Sequence, residues 1–178
     1  MIPIHLPACR AFDERTEEFV DYPAVTLKLE HSLISIQRWE SKWHKSYLSS
    51  QGFTPEELLD YIRCMSLDQN VDVTTLQRLT KDDVLKIRAY MDNPMTATTF
   101  GKSGQKGKSQ IITAEIVYFW MTSFGIPFEC AKWHINQLLT LIQVCSIKNS
   151  PKKGGKKQTA AERAALNKAR RARMGSSG

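Results

Sequence analysis

Apolar residues recur every three or four positions through most of residues 31–147, and this periodicity constrains the fold more than any other feature. Such spacing places apolar side chains on one face of an α-helix. Residues 24–30 (AVTLKLE) instead alternate apolar and polar side chains, as a half-buried strand does. Residues 1–10 contain Pro3 and Pro7, which disfavour a helix, so we expect an extended segment that pairs with this strand. The sequence predicts a mainly α fold, with a compact helical domain and a small N-terminal β element.

Capping residues mark where several of the helices begin. Thr54 is followed by Pro55 and Glu57, which is a capping-box pattern with proline at the first helical position. Thr80 and Thr113 are the predicted N-caps of two later helices. The predicted helices cover about 31–48, 54–67, 73–79, 81–92, 113–125 and 127–147.

Composition divides the chain into three parts. Residues 1–30 form an extended or strand segment that we expect to pack on the body. Residues 31–150 form the helical body, interrupted at 93–110 by a stretch rich in glycine and lysine that we expect to be an exposed, mobile loop. Residues 151–178 have few large apolar side chains and are predicted to be a flexible basic tail, which becomes helical when a partner binds it.

The basic charge of the chain is concentrated in this tail. The net charge is +7, yet residues 1–150 hold 16 basic and 17 acidic side chains. Any attraction to nucleic acid or to an acidic protein surface is therefore assigned to the tail, with a merely solubilising tail as the alternative. The candidate polyanion or acidic-partner contacts are Lys152, Lys153, Lys156, Lys157, Arg163, Lys168, Arg170, Arg171 and Arg173.

An aromatic stripe runs along the first predicted helix. Trp39 and Trp43 are one helical turn apart and Tyr47 follows at the same spacing, so the three rings are predicted to share a face. Such a stripe is usually core. Two indoles so close together would also suit a protein partner, and we therefore take Trp39, Trp43 and Tyr47 as candidate partner-binding residues.

Motifs that carry chemistry are weak in this chain. GKSGQKGKS (101–109) contains Gly-Lys-Ser twice, but the first glycine of a P-loop would fall at Lys102 or at Thr96, so we predict a solvated loop. The pair Glu40 and His44 is interpreted as a surface ion pair. Without a nucleophile elbow, an HExxH or a paired-carboxylate signature, the sequence predicts a non-enzymatic protein that needs no cofactor.

Histidine and cysteine residues give no framework for a metal or for disulfides. Cys130 and His134 are one turn apart, yet no second pair completes a zinc site, so we expect a core cysteine beside a hydrogen-bonded histidine. The four cysteines are expected to be small buried hydrophobic residues. No apolar run approaches the roughly 20 residues of a membrane helix, and no signal peptide is visible, so a cytoplasmic protein is expected.

Several stretches resemble a family of small proteins from tailed bacteriophages. They are TLKLEHSLISIQRWESKW, LLDYIRCM with QNVD, MTATTF, IITAEIVYFWM, IPFECAKWHINQLLTLIQVC and AALNKARR. The resemblance covers roughly residues 20–173. Members of this family are often labelled tail assembly chaperones, which bind the aggregation-prone tape measure protein and help to recruit tail tube subunits.

The resemblance implies a non-enzymatic protein that works in the cytoplasm of the infected bacterial host. Tape measure and tail tube proteins would be its partners, and self-association is left open. Two alternatives remain at this point. The chain could be a structural component of the virion, such as a connector or tail protein, or a phage protein that binds nucleic acid through its basic tail.

Overall fold

The computed structural model describes residues 1–13, 17–68, 71–100 and 111–150, together with Arg170. Its strands are β1 (Ile2–Leu6), β2 (Cys9–Asp13), β3 (Glu18–Tyr22) and β4 (Val25–Leu29). Its α-helices are α1 (Leu33–Trp43), α2 (Pro55–Met65), α3 (Val73–Gln77), α4 (Lys81–Met91), α5 (Ala114–Ser123) and α6 (Ile135–Asn149). A 3₁₀ helix over Phe128–Lys132 lies between α5 and α6. The mainly α body with a small N-terminal β element is thus confirmed.

The N-terminal strand pairs with the alternating segment, as predicted. β1 and β4 are antiparallel, with Ile2 opposite Leu29 and Leu6 opposite Val25. The other edge of β4 bonds to the segment after α2, since Leu67 N–H donates to the Lys28 carbonyl at 2.9 Å and Leu29 bridges to Ser66. The inward side chains of this small sheet, Ile4, Leu6, Leu27 and Leu29, are buried in the same core as the helices.

A second hairpin, formed by β2 and β3, was not predicted. The sequence DERTEE over 13–18 is so highly charged that it predicts only a turn or a short helix, and residues 14–16 of it lie outside the described part. Phe12 and Phe19 face each other across this hairpin, with ring centroids 5.2 Å apart, and both are exposed. The hairpin escaped notice because neither face is buried, so its sequence lacks the apolar alternation that marks a half-buried strand.

The capping predictions are confirmed for two helices. At α2, Thr54 Oγ1 accepts from Glu57 N–H while the Glu57 carboxylate accepts from Thr54 N–H, and Pro55 is the first helical residue. Thr80 and Asp83 form the same reciprocal pair at α4. Thr113 precedes α5, but its side chain makes no capping hydrogen bond. The hydrogen bond at the start of α5 is instead accepted by Glu40, whose Oε2 lies 2.7 Å from Ala114 N.

Two predicted helices differ from the observed ones by more than a few residues at one end. Helix α1 ends at Trp43, because His44 adopts a left-handed conformation with φ of 52° and donates its N–H to the Glu40 carbonyl. Tyr47 therefore lies in the following turn and not on the helix. The predicted long helix after Pro127 is likewise wrong, since the chain is extended at Trp133 before α6 begins.

A tertiary contact explains the interruption before α6. Ile135 N–H donates to the His31 carbonyl at 2.8 Å, and Ser32 forms an antiparallel bridge with His134. These bonds fix the backbone around His134 in an extended form, which a continuous helix would not allow. His134 then caps α6, because its Nδ1 accepts from Asn136 N–H at 3.3 Å.

Helix α1 is the centre of the helical body. It packs against α2, α5 and the 3₁₀ helix, and Leu33, Ile36 and Trp39 on its inner face are fully buried. Residues 93–100 of the predicted loop contain no helix or strand, and residues 101–110, with most of the Gly-Lys-Ser stretch, lie outside the described residues. The predicted tail also lies outside them, apart from Arg170, which is exposed.

The cysteines differ from their predicted environments at one position. All four are free thiols, and Cys130 is buried while Cys64 and Cys145 are half-buried. Cys9, however, is exposed on β2. The expectation of burial is wrong there because Cys9 belongs to the hairpin that stands apart from the core.

Candidate partner-binding surface

The three predicted aromatic residues lie at different depths. Trp39 is fully buried, and its indole N–H donates to the Glu57 carbonyl at 3.0 Å. Tyr47 is also buried, with its ring stacked on Tyr61 at a centroid distance of 4.0 Å. Trp43 alone is half-buried. The core interpretation therefore describes Trp39 and Tyr47, and a partner could touch only Trp43.

The accessible edge of Trp43 is surrounded by charged groups. Its indole N–H donates to Asp60 Oδ2 at 2.8 Å, while Lys42 Nζ contacts Asp60 Oδ1 at 2.7 Å. Burial opposes the charge of Asp60, yet these two hydrogen bonds and the charge of Arg63 lower the pKa of this carboxyl below its ordinary value. Asp60 thus holds Trp43 and two cations in fixed positions where α1 meets α2.

Glu40 was predicted to be in a surface ion pair with His44, and this prediction is wrong. Its side chain is buried, with Oε1 accepting from Tyr47 N–H at 2.8 Å and Oε2 from Ala114 N–H at 2.7 Å. Burial raises the pKa of Glu40, and the two hydrogen bonds partly oppose this rise. The carboxylate supplies the cap that Thr113 does not, and so joins α1 to the start of α5.

His31 lies at the centre of a second buried polar group. Its Nδ1 is 2.5 Å from the hydroxyl of Tyr61, and its ring centroid is 5.1 Å from that of His134. Burial, with a smaller contribution from His134, lowers the pKa of His31 to about 3. No spacing rule points to His31, because its partners come from distant parts of the chain.

Acid should therefore destabilise the fold through His31. The unfolded histidine takes up a proton near its ordinary pKa of 6.5 and the folded one only near 3, so its contribution to stability is complete above pH 6.5 and lost as the pH falls. We expect the free energy of unfolding to drop by about 2 kcal/mol between pH 7 and pH 5. Urea denaturation at the two values measures this drop.

Two variants assign the drop to His31. His31→Phe cannot titrate, so the free energy of unfolding of this variant should depend less on pH than that of the wild type by about 2 kcal/mol over the same interval. His5→Gln, at an exposed position on β1, is the matched control and should keep the wild-type dependence. Equal pH dependence in the wild type and in His31→Phe would contradict the assignment.

Cys130 and His134 are both buried and His134 is hydrogen-bonded, as predicted, but they do not share a helix, since Cys130 lies in the 3₁₀ helix and His134 precedes α6. His134 Nε2 lies 3.1 Å from the Tyr90 carbonyl, and its Nδ1 is used at the start of α6, so both ring nitrogens are engaged. Among the described residues, no group of three or more His, Cys, Asp or Glu side chains could hold a metal ion. None of the described helices is long and apolar enough to span a membrane.

Large aromatic side chains are also exposed on α5, on the 3₁₀ helix and at Trp133, which follows that helix. Phe119 is 67% exposed, Phe128 60% and Trp133 41%. Tyr118 and Phe128 connect the two elements, with ring centroids 6.0 Å apart. The outer face of α5 is otherwise polar, with Glu115, Thr122 and Ser123 exposed, so Phe119 is a single large apolar side chain placed in solvent next to the aromatic residues that follow α5.

Comparison with models of protein families, with curated protein sequences and with solved structures gives no match.

Proposed function

We propose that this chain is a non-enzymatic chaperone of bacteriophage tail assembly. It binds the tape measure protein, tail tube subunits or both during morphogenesis, in the cytoplasm of the infected host. The observation that carries this proposal is the exposure of Phe119 on α5 and of Phe128 on the 3₁₀ helix, two elements that the contact between Tyr118 and Phe128 connects. A chaperone for an aggregation-prone protein needs exposed side chains of this kind to cover apolar segments of its client.

The use of the buried polar groups supports a binding role. Glu40 bonds backbone N–H groups, His31 pairs with Tyr61, and His134 bonds the backbone on both sides. Among the described residues, no buried side-chain nitrogen or oxygen lacks a hydrogen-bond partner. Each of these buried groups is used to hold helices and strands together. A protein that works by binding through its surface needs no other task for them.

The β2–β3 hairpin favours a second candidate, a structural component of the virion. A two-stranded hairpin is marginally stable in isolation, and its outer edges can each pair with another strand. Its exposed Phe12 and Phe19 would be covered if the hairpin joined a sheet of a neighbouring subunit. Nucleic-acid binding through the basic tail stays a prediction, because it concerns residues outside the described part.

Quantitative mass spectrometry of infected cells and of purified virions separates the two candidates. A chaperone acts and leaves, so we expect the chain in infected cells and its absence from mature particles. A connector or tail protein would instead be present in a fixed number of copies per particle.

A further inference from the structure

A groove runs along the outer side of α1, and the exposed aromatic residues Phe119, Phe128 and Trp133 do not line it. It consists of two adjoining cavities of about 590 and 350 Å³, which share Arg38, Ser66 and Leu67 as lining residues. Ile34, Arg38 and Lys42 lie along one wall, four residues apart on one face of α1. The segment after α2 forms the opposite wall. The groove follows α1 for eight residues, which is about 12 Å.

The opposite wall is fixed to the small sheet. Leu67 N–H donates to the Lys28 carbonyl at 2.9 Å, on the edge of β4 that β1 does not use. The Leu67 side chain is nevertheless 56% exposed and faces the groove. An apolar side chain therefore stands on a rigid backbone, directly across from the cations of α1.

The groove carries more positive than negative charge. Arg38, Lys42, Arg63 and Lys132 line it, against the acidic residues Asp68 and Glu30. Glu30 is already matched, since its carboxylate contacts the Met1 ammonium and the Tyr90 hydroxyl, each at 2.5 Å.

Within the described part of the chain, two of the four cations make no ion pair and could meet a ligand. Lys42 and Arg63 are held by Asp60, which does not line the groove, at 2.7 and 2.8 Å. Among the described residues, neither Arg38 nor Lys132 has a carboxylate within 4.0 Å. Arg38 and Lys132 are therefore the groups to which a carboxylate would bind.

We infer that this groove binds an acidic, apolar segment of a partner protein. Carboxylates of the segment meet Arg38 and Lys132, and an apolar side chain between them covers Leu67 and Ile34. Nucleic acid fits less well, because the cations are separated by apolar side chains and Asp68 would repel a continuous row of phosphates. The inference rests on the proposed function in one respect, since it takes the partner to be a client protein of tail assembly.

Fluorescence anisotropy with synthetic peptides tests the groove without any phage component. The probe is a labelled peptide of alternating glutamate and leucine, compared with a peptide of glutamate alone, one of alternating lysine and leucine, and a single-stranded oligonucleotide. We expect the glutamate–leucine peptide to bind the full chain most tightly, and its affinity to fall as salt is added.

Matched variants locate the binding site. Arg38→Glu should weaken binding of the glutamate–leucine peptide about tenfold or more, and Leu67→Ser about fivefold. Arg88→Glu makes the same charge change at an exposed position on α4, and Leu85→Ser makes the same apolar change on α4, where Leu85 is 61% exposed. Both controls should stay within about twofold of the wild type, because neither residue lines the groove.

Several results would overturn the inference. One is failure of the glutamate–leucine peptide to bind the wild type at millimolar concentration. A second is equal weakening of peptide binding by Arg38→Glu and by Arg88→Glu. A third is an oligonucleotide that binds more tightly than the peptide and whose binding is weakened by Arg38→Glu but not by Arg88→Glu. Its failure is separable from failure of the proposed function. If the peptide binds but the chain proves not to be a chaperone, the groove is a docking site for another protein. If the chain is absent from virions but the peptide does not bind, the chaperone proposal stands and the groove proposal fails.

Discussion

Replacing Trp39 with alanine is expected to lower the free energy of unfolding by about 3–5 kcal/mol. The indole is fully buried and lies within 6.1 Å of Trp43, 5.5 Å of Tyr47 and 5.3 Å of Phe53, measured between ring centroids. Truncation removes these contacts, leaves a large cavity and strips the Glu57 carbonyl of its indole donor. Urea denaturation followed by circular dichroism measures the change.

Trp133→Ala is the control for this loss. Trp133 is the extended residue after the 3₁₀ helix and is 41% exposed, so its removal should cost clearly less than that of Trp39, at about 1–2 kcal/mol. Equal losses for the two variants would contradict the assignment of Trp39 to the core. A small loss for Trp39→Ala alone would mean that the indole can leave its site, as a partner-binding residue could.

Replacing Glu40 with alanine is expected to be about as damaging, at about 3–5 kcal/mol. The change leaves the N–H groups of Tyr47 and Ala114 buried without an acceptor, and each unsatisfied group costs about 1–3 kcal/mol. Glu40→Gln keeps one acceptor oxygen but turns an amide N–H₂ toward the other N–H, so its loss should be intermediate. The same urea titration measures both variants.

Glu115→Ala is the matched control, since Glu115 is exposed in the first turn of the same helix. An exposed carboxylate at a helix N-terminus contributes about 0.3–1 kcal/mol, and only that amount should be lost. If Glu40→Ala costs no more than Glu115→Ala, the buried carboxylate is not what holds the start of α5 to α1.

The sequence correctly predicted those helices and strands whose ends are fixed by contacts between residues close together in the chain. Thr54 with Glu57, and Thr80 ahead of α4, fix their helix starts through contacts three residues away, which a sequence displays directly. The pairing of β1 with β4 was predicted for a similar reason. Burial of one face leaves an alternating pattern in both strands.

Features set by tertiary contacts could not be predicted in this way. Glu40 and His44 have the spacing of an ion pair, but Glu40 turns inward to residues 7 and 74 positions away. The break before α6 depends on a bond from Ile135 to His31, more than 100 residues earlier. Neither feature could be predicted without the folded structure, because the residues on either side of Glu40 and of His134 have the sequence pattern of an ordinary helix.

The residues of the candidate binding surfaces could be predicted only in part. The spacing of Trp39 and Trp43 indicated a shared helical face, and the structure separates a buried indole from a half-buried one. The groove beside Arg38 left no pattern, because its walls come from α1 and from a segment about 30 residues later. Exposure of Phe119 was equally hidden, since the residues on either side of it in α5 are aromatic as well.

The proposed role in tail assembly is tested most directly by the copy number of this chain in purified virions, in a phage whose genome is found to encode it. Quantitative mass spectrometry should use the tail tube protein as the internal reference and infected-cell lysate as the control for expression. A tail assembly chaperone predicts clear signal in the lysate and none above background in the particle. A fixed number of copies per virion would contradict that account and make the chain a structural component.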